Sequence, residues 1–254
     1  MLADDLKQAI DITEFARSSL SFEPDQWQTK ALKWSGRRLL LNCCRQSGKS
    51  TTAAILALHR AIFYPGSLIL LVSPSLRQSS ELFKKVTDEF NKLESQPKRM
   101  ENNRLSLALE NRSRIISLPS SESTIRGYSG ASLIIEDEAS RVDDALYYAV
   151  RPMLAVSGGK IILMSTPFGK RGHFFHEWVD GGESWERIKV TGYDCPRIPA
   201  EFIEEEKRTM PDMFFRAEYL GEFTETLDAV FTYEQVSEAV TDEVKPLEFG
   251  GMEG

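Results

Sequence analysis

The stretch Asn42-Cys43-Cys44-Arg45-Gln46-Ser47-Gly48-Lys49-Ser50-Thr51 decides how this chain folds. It follows the apolar run Leu39-Leu40-Leu41 and precedes an alanine- and leucine-rich run from Thr52 to Phe63. A strand, a tight loop and a Gly-Lys-Ser sequence opening a helix together form a phosphate-binding loop. The backbone N–H groups from Gln46 to Thr51 and the positive end of the helix attract phosphate oxygens. Lys49 is placed to reach the β- and γ-phosphates, and the Ser50 hydroxyl to ligate Mg²⁺. One position departs from the general pattern G-x-x-x-x-G-K-[ST]. Its first glycine falls at 43, where this chain has Cys43.

Working outward, the chain supplies a matching acidic motif. Ser132-Leu133-Ile134-Ile135-Glu136-Asp137-Glu138-Ala139 is an apolar strand that ends in carboxylates. Asp137 is expected to hold Mg²⁺, directly or through water. Glu138 is expected to orient and polarise the attacking water. A further buried strand, Lys160-Ile161-Ile162-Leu163-Met164, runs into Ser165-Thr166-Pro167. Small hydroxyl residues there either sense the γ-phosphate and couple it to a neighbouring element, or form a simple turn.

Upstream lies Phe22-Glu23-Pro24-Asp25-Gln26-Trp27-Gln28, read as the start of a helix with Pro24 in its first turn. A glutamine amide can donate to adenine N7 and accept from N6-H₂ at once, and Gln28 is favoured over Gln26 for that role. Residues 4–16 read as one amphipathic helix carrying Leu6, Ile10 and Phe15. Ser67 to Val72 is a continuous apolar strand of the kind found inside parallel sheets. The helix that follows it begins near Ser75 and Arg77, which either touch a DNA backbone or cap and solvate the helix end. Residues 92–104 read as an exposed polar loop. The segments 105–109 and 115–118 alternate around Asn111-Arg112-Ser113, a hairpin signal. Lys170-Arg171 is a short basic run near the same sheet edge. Residues 171–226 read as a smaller lid-type unit, and 227–254 as an acidic linker.

Composition narrows the function. In 254 residues, 31 Lys and Arg against 38 Asp and Glu leave a net charge of −7. Nucleic-acid contact must therefore come from local patches, with Arg77, the cluster Arg99, Arg104, Arg112 and Arg114, and Lys170-Arg171 in competition. No apolar run approaches the ~18 residues of a membrane span. Three cysteines without metal-type spacing suit a reducing cytoplasm and argue against a zinc site.

Taken in order, Trp27-Gln28, the glycine-poor loop with Arg45, Ile135-Glu136-Asp137-Glu138 and Ser165-Thr166-Pro167 resemble a known family. It is the N-terminal ATPase domain of the large terminase subunit of tailed bacteriophages. The likeness runs from about residue 20 to 231. It includes Glu218-Tyr219-Leu220-Gly221-Glu222-Phe223, which is similar to the segment closing that domain. The resemblance implies an α/β P-loop NTPase of the RecA-like branch: a mostly parallel sheet flanked by helices, with a small C-terminal lid. It implies ATP and Mg²⁺ as ligands, hydrolysis coupled to moving double-stranded DNA into a procapsid, and the host cytoplasm as location. The implied partners are the portal protein, the small terminase subunit and further copies in a ring. It also accounts for Cys43 and Arg45, since the family's loop often lacks the first glycine and carries an extra arginine. Arg126, in Thr124-Ile125-Arg126-Gly127, resembles the arginine such rings supply across a subunit interface. Arg45 is its rival in cis, with Arg141 and Arg151 as further candidates. The family's nuclease domain has no counterpart before Gly254, so the chain is read as an ATPase portion without DNA cutting. The competing readings are a helicase-like remodelling ATPase and an assembly module that binds nucleotide with little turnover.

Overall fold

A computed structural model describes residues 2–119, 127–225 and 233–240 of the chain. Among these, eight strands form one sheet: β1 Arg38–Cys43, β2 Leu68–Ser73, β3 Arg99–Asn103, β4 Ser106–Leu109, β5 Arg114–Pro119, β6 Leu133–Asp137, β7 Lys160–Ser165 and β8 Glu186–Val190. Their order is β3-β4-β5-β2-β6-β7-β1-β8. From β5 to β8 every neighbouring pair is parallel, while β3-β4 and β4-β5 are antiparallel. The chain is therefore an α/β protein with a mostly parallel sheet and an antiparallel extension on one edge.

The interior strands are apolar on both sides because both faces of the sheet are covered. Every residue of β2 and β6 is buried, including Glu136 and Asp137. Side chains alternate between two cores, as the period of two requires. Leu39, Leu41, Ile69, Leu71, Ile135, Ile162 and Met164 face one way. They pack against α2 Ile12–Leu20, α3 Gln26–Leu32, α4 Lys49–Phe63 and α5 Leu76–Asn91. Leu40, Leu70, Val72, Ile134, Ile161 and Leu163 face the other core. That core holds Tyr147 of α6 Asp144–Val150 and Phe174 of α7 Gly172–Val179.

This order places the carboxyl ends of β6, β7 and β1 side by side. Asn42 pairs with Ser165 and Asp137 with Met164, so the three strand ends stop at one level. Ligands of open α/β sheets bind in the crevice beyond such ends.

Several expectations need correction. Residues 4–16 are not one helix: α1 Leu2–Ile10 stops, and Asp11 caps α2 by accepting from Thr13 N–H at 2.9 Å and Thr13 Oγ1 at 2.6 Å. Pro24 lies outside α3, whose N-cap is Asp25. The segment read as a loop at 92–104 contains edge strand β3, and its pairing with β4 is what the polar sequence hides. The compact unit runs to Thr224 and does not break at residue 170. The physical reason is β8, which pairs in parallel with β1 from Leu39↔Glu186 to Cys43↔Val190. Residues 171–224 thus complete the main sheet, with helices α8 Ala200–Thr209 and α9 Asp212–Leu220. The second unit, residues 225–254, holds helix Tyr233–Ala239.

Candidate nucleotide site

The loop between β1 and α4 turns on two left-handed residues, Gln46 at φ 59° and Gly48 at φ 94°. Lys49 is then the first residue of α4. Cys43 is not in the turn. It is the last residue of β1, fully buried and in register with Val190. No positive φ is demanded there, so the loop forms without the missing glycine. Burial pushes the Cys43 thiol up to about 12.

A cavity of about 810 Å³ opens over this loop. The loop from Cys44 to Thr51 forms its floor, with Glu138, Thr166 and Arg197 at its sides. At its base Lys49 Nζ lies 2.5 Å from Glu138 Oε1 and 3.1 Å from Asp137 Oδ1. Burial opposes the lysine's charge, but the carboxylates of Asp137 and Glu138 outweigh it and raise the Lys49 pKa. Burial raises the Asp137 carboxyl, against the pull of Lys49. Glu138 is held in a left-handed conformation at φ 54°, just past the strand end. Its N–H donates to Asp137 Oδ1 at 3.0 Å, which turns the two carboxylates toward one lysine. A non-glycine residue in that conformation stores roughly 1–2 kcal/mol.

The hydroxyl motif of β7 joins the same assembly. Ser140, on the 3₁₀ turn after Glu138, places Oγ 2.7 Å from Ser165 Oγ and donates to the Thr166 carbonyl at 2.8 Å. Ser165 Oγ lies 2.8 Å from the same carbonyl and accepts from, or donates to, Ser140 Oγ. The end of β7 is therefore tied directly to the residues carrying Glu138.

Two arginines hold the loop from outside. Arg45 pairs through Nε with Glu218 Oε2 at 2.7 Å, and its N–H donates to the Glu218 carbonyl at 3.0 Å. Arg197 donates to the Ser47 carbonyl at 2.6 Å and pairs with Asp25 Oδ2 at 2.7 Å. Gln28 sits behind the loop. It is fully buried, and its amide oxygen accepts the Asp25 N–H at 2.9 Å in a capping box. Its Nε2 packs where a Cβ on Gly48 would lie 2.9 Å away. As placed, Gln28 braces the loop from behind and does not line the cavity.

Of the other expected residues, Ser50 and Thr51 line the cavity. Arg77 is exposed on the first turn of α5, whose cap is Ser75 accepting from Gln78 N–H at 3.3 Å. Arg171 is exposed and lies over Phe168, as does Arg141, which also reaches the cavity. Lys170 is half-buried. Arg126 lies outside the described residues. Reading the sequence missed Gln78, Lys85 and Arg197. Gln78 and Lys85 stand two turns apart on α5, a spacing that places them on one face. Arg197 lies 150 positions from Ser47 and has no local signal.

A phosphate loop after β1, paired carboxylates after β6 and hydroxyls after β7, all at one sheet edge, define a P-loop NTPase fold. The chain belongs to the family described as terminase large subunit, T4likevirus-type, N-terminal, which it matches over residues 40–238. It is 25% identical over 250 residues to the large terminase subunit of Thermus phage G20c, covering 84% of this chain and 51% of that protein. It is 28% identical over 206 residues to that of Escherichia phage T5, covering 76% and 46%. The chain thus spans about half the length of these relatives. The ATPase domain of the Thermus phage P74-26 large terminase superposes with a TM-score of 0.71 at 22% identity, covering 81% of this chain and 96% of that one. The large terminase of a thermophilic bacteriophage, in complex with ADP, gives 0.67 at 13% identity, covering 79% and 53%.

Proposed function

We propose that this chain hydrolyses ATP to drive double-stranded viral DNA into a procapsid. The observation that carries the reading is the Lys49–Asp137–Glu138 cluster beneath the phosphate loop. A lysine held between a metal-binding and a water-polarising carboxylate suits a site awaiting a triphosphate. In this reading Lys49 turns from Glu138 to the phosphates, and Glu138 becomes free to orient the attacking water. The loop N–H groups from Gln46 to Thr51 bind phosphate oxygens, and Arg45 neutralises charge above them once it exchanges Glu218 for phosphate. The Ser50 hydroxyl and Asp137 carboxylate are hard oxygen donors, which suits Mg²⁺. They would hold it, and bound there it supplies charge neutralisation on the phosphates.

Ser140 passes the state of Glu138 to Ser165 and Thr166, and so to the end of β7. The portal protein and small terminase subunit are the expected protein partners. DNA contact falls to local cations, Arg77, Lys170 and Arg171. The thermophilic phage terminase bound to ADP supports a nucleotide in this fold.

The reading is tested with Glu138→Ala. The variant should bind ATP as the unaltered chain does and lose turnover by at least about a hundredfold, the scale of a lost general base. Steady-state hydrolysis in a folded Glu138→Ala chain within about tenfold of the unaltered rate would refute the assignment.

A further inference from the structure

We infer that Arg197 is a positioning residue that locks the Ser47–Gly48 peptide plane in the orientation that binds phosphate. The inference rests on the nucleotide-binding reading above and names a residue that reading does not use. Its basis is a single short bond: Arg197 Nη2 donates to the Ser47 carbonyl at 2.6 Å. In a trans peptide the carbonyl and the following N–H point in opposite directions. Holding the Ser47 oxygen toward Arg197 therefore turns the Gly48 N–H away from it.

That restraint matters because of the glycine. Gly48 sits at φ 94°. Glycine crosses between positive and negative φ with little energy difference. The peptide before it can therefore turn over more easily than any other in the loop. A flipped plane would aim a carbonyl oxygen where a phosphate oxygen must sit. Three groups restrain it. Arg197 grips the carbonyl, Asp25 fixes Arg197 through an ion pair at 2.7 Å, and Gln28 Nε2 closes the space beside Gly48. Asp25 and Gln28 are themselves bound together in the α3 capping box. The start of α3 thus becomes a rigid base for the guanidinium.

Arg197 lies on the segment leaving β8 and its 3₁₀ turn, Gly192–Asp194. A segment remote in sequence from the phosphate loop therefore sets the loop's geometry. Because the lock acts on phosphate affinity in the ground and transition states alike, its loss should raise KM for ATP and leave kcat nearly unchanged.

The test uses the full chain and two probes, Mg·ADP and Mg·pyrophosphate, titrated calorimetrically into Arg197→Ala, Arg197→Lys and Asp25→Asn. Losing a charge-assisted hydrogen bond should weaken both probes by about tenfold in Arg197→Ala. Arg197→Lys should recover part of this, since an ammonium can still reach one carbonyl. Asp25→Asn, which keeps the guanidinium but removes its anchor, should show a smaller loss of the same sign. Pyrophosphate has no base, so a loss confined to ADP would mean that Arg197 acts on adenine, and would overturn the inference. Unchanged affinity for both probes in a folded Arg197→Ala chain would overturn it equally. An unaltered chain that binds neither probe would instead refute the nucleotide-binding reading.

Discussion

At the scale of residues, the loop separates two left-handed positions by what each must do. Gly48 is crowded: a Cβ there would meet Gln28 Nε2 at 2.9 Å and Arg197 Nη2 at 3.1 Å. Gln46, by contrast, is exposed at φ 59° and carries its own side chain at the expense of backbone strain. Gly48→Ala should therefore cost roughly 1–2 kcal/mol of stability and weaken nucleotide binding, since it strains the backbone and pushes on the groups behind the loop. Gln46→Gly should stay within about 1 kcal/mol of the unaltered chain, relief of strain offsetting the added freedom of the unfolded state. Thermal unfolding of both variants checks the pair, and a Gly48→Ala chain as stable as Gln46→Gly would contradict it. Cys43 belongs to the same scale. With its thiol buried and raised to about 12, it should resist alkylation at neutral pH until the chain unfolds. Alkylation of Cys43 in the native chain, read by peptide mass, would show that β1 frays at its end.

Among the elements, the least expected is a buried ionisable chain behind the acidic strand. Glu136 points away from the nucleotide cavity, and its Oε1 lies 2.6 Å from His173 Nε2. The other ring nitrogen lies 3.0 Å from Asp144 Oδ1, which also accepts the His173 N–H at 2.6 Å. Tyr147 stacks on the imidazole with ring centroids 4.4 Å apart. Burial works against the imidazolium, but Glu136 and then Asp144 outweigh it and raise the His173 pKa above its ordinary 6.5. The sign follows from linkage. A raised folded-state pKa contributes stability that is complete below the unfolded value and is lost as pH rises through the folded one. The melting temperature of the unaltered chain should therefore exceed that of His173→Gln most below pH 6.5, with the gap narrowing above it. A gap that widens with pH would show that His173 is held neutral.

The same elements show what a sequence displays and what it conceals. The runs in β2, β6 and β7 are legible because a parallel interior strand must be apolar throughout. The hairpin of β4 and β5 is legible because two alternating runs flank Asn111-Arg112-Ser113, and Arg112 then takes the left-handed turn position at φ 68°. Lys49, Asp137 and Glu138 are legible because each chemistry sits beside a strand end. Strand β3 is hidden because a polar edge strand carries no periodicity that a loop lacks. Arg197 and His173 are hidden for another reason: their partners lie 150 and 37 positions away. Gln28 has a local pattern that suits two jobs, and the capping bond from Asp25 N–H to its amide oxygen is the one the structure displays.

At the scale of the whole molecule, the question is whether one copy can complete its own site. Arg45 reaches the cavity but is engaged by Glu218 at 2.7 Å, and Arg197 is engaged by Asp25 at 2.7 Å. Arg141 is drawn over the Phe168 ring at 3.8 Å. Among the described residues, each of these arginines lining the cavity thus has a partner, and the lysines there, Lys49 and Lys85, carry no planar guanidinium, which leaves a role for an arginine supplied by a neighbouring copy. The family resemblance assigns that role to Arg126. A trans arginine makes hydrolysis second order in protein, so the specific ATPase rate should rise with concentration and level off once copies associate. Mixing gives the sharper result. An Arg126→Ala chain keeps Glu138 but lacks the finger, and a Glu138→Ala chain keeps the finger but lacks the base. Neither should turn over alone. At an interface where Arg126 of the second meets Glu138 of the first, one intact site forms. A mixture should therefore regain activity at about a quarter or less of the unaltered rate, the fraction set by random pairing of two chains. Activity in Arg126→Ala alone would shift the finger to Arg45 in cis. Associated mixtures that stay inactive would mean that finger and base must come from the same copy.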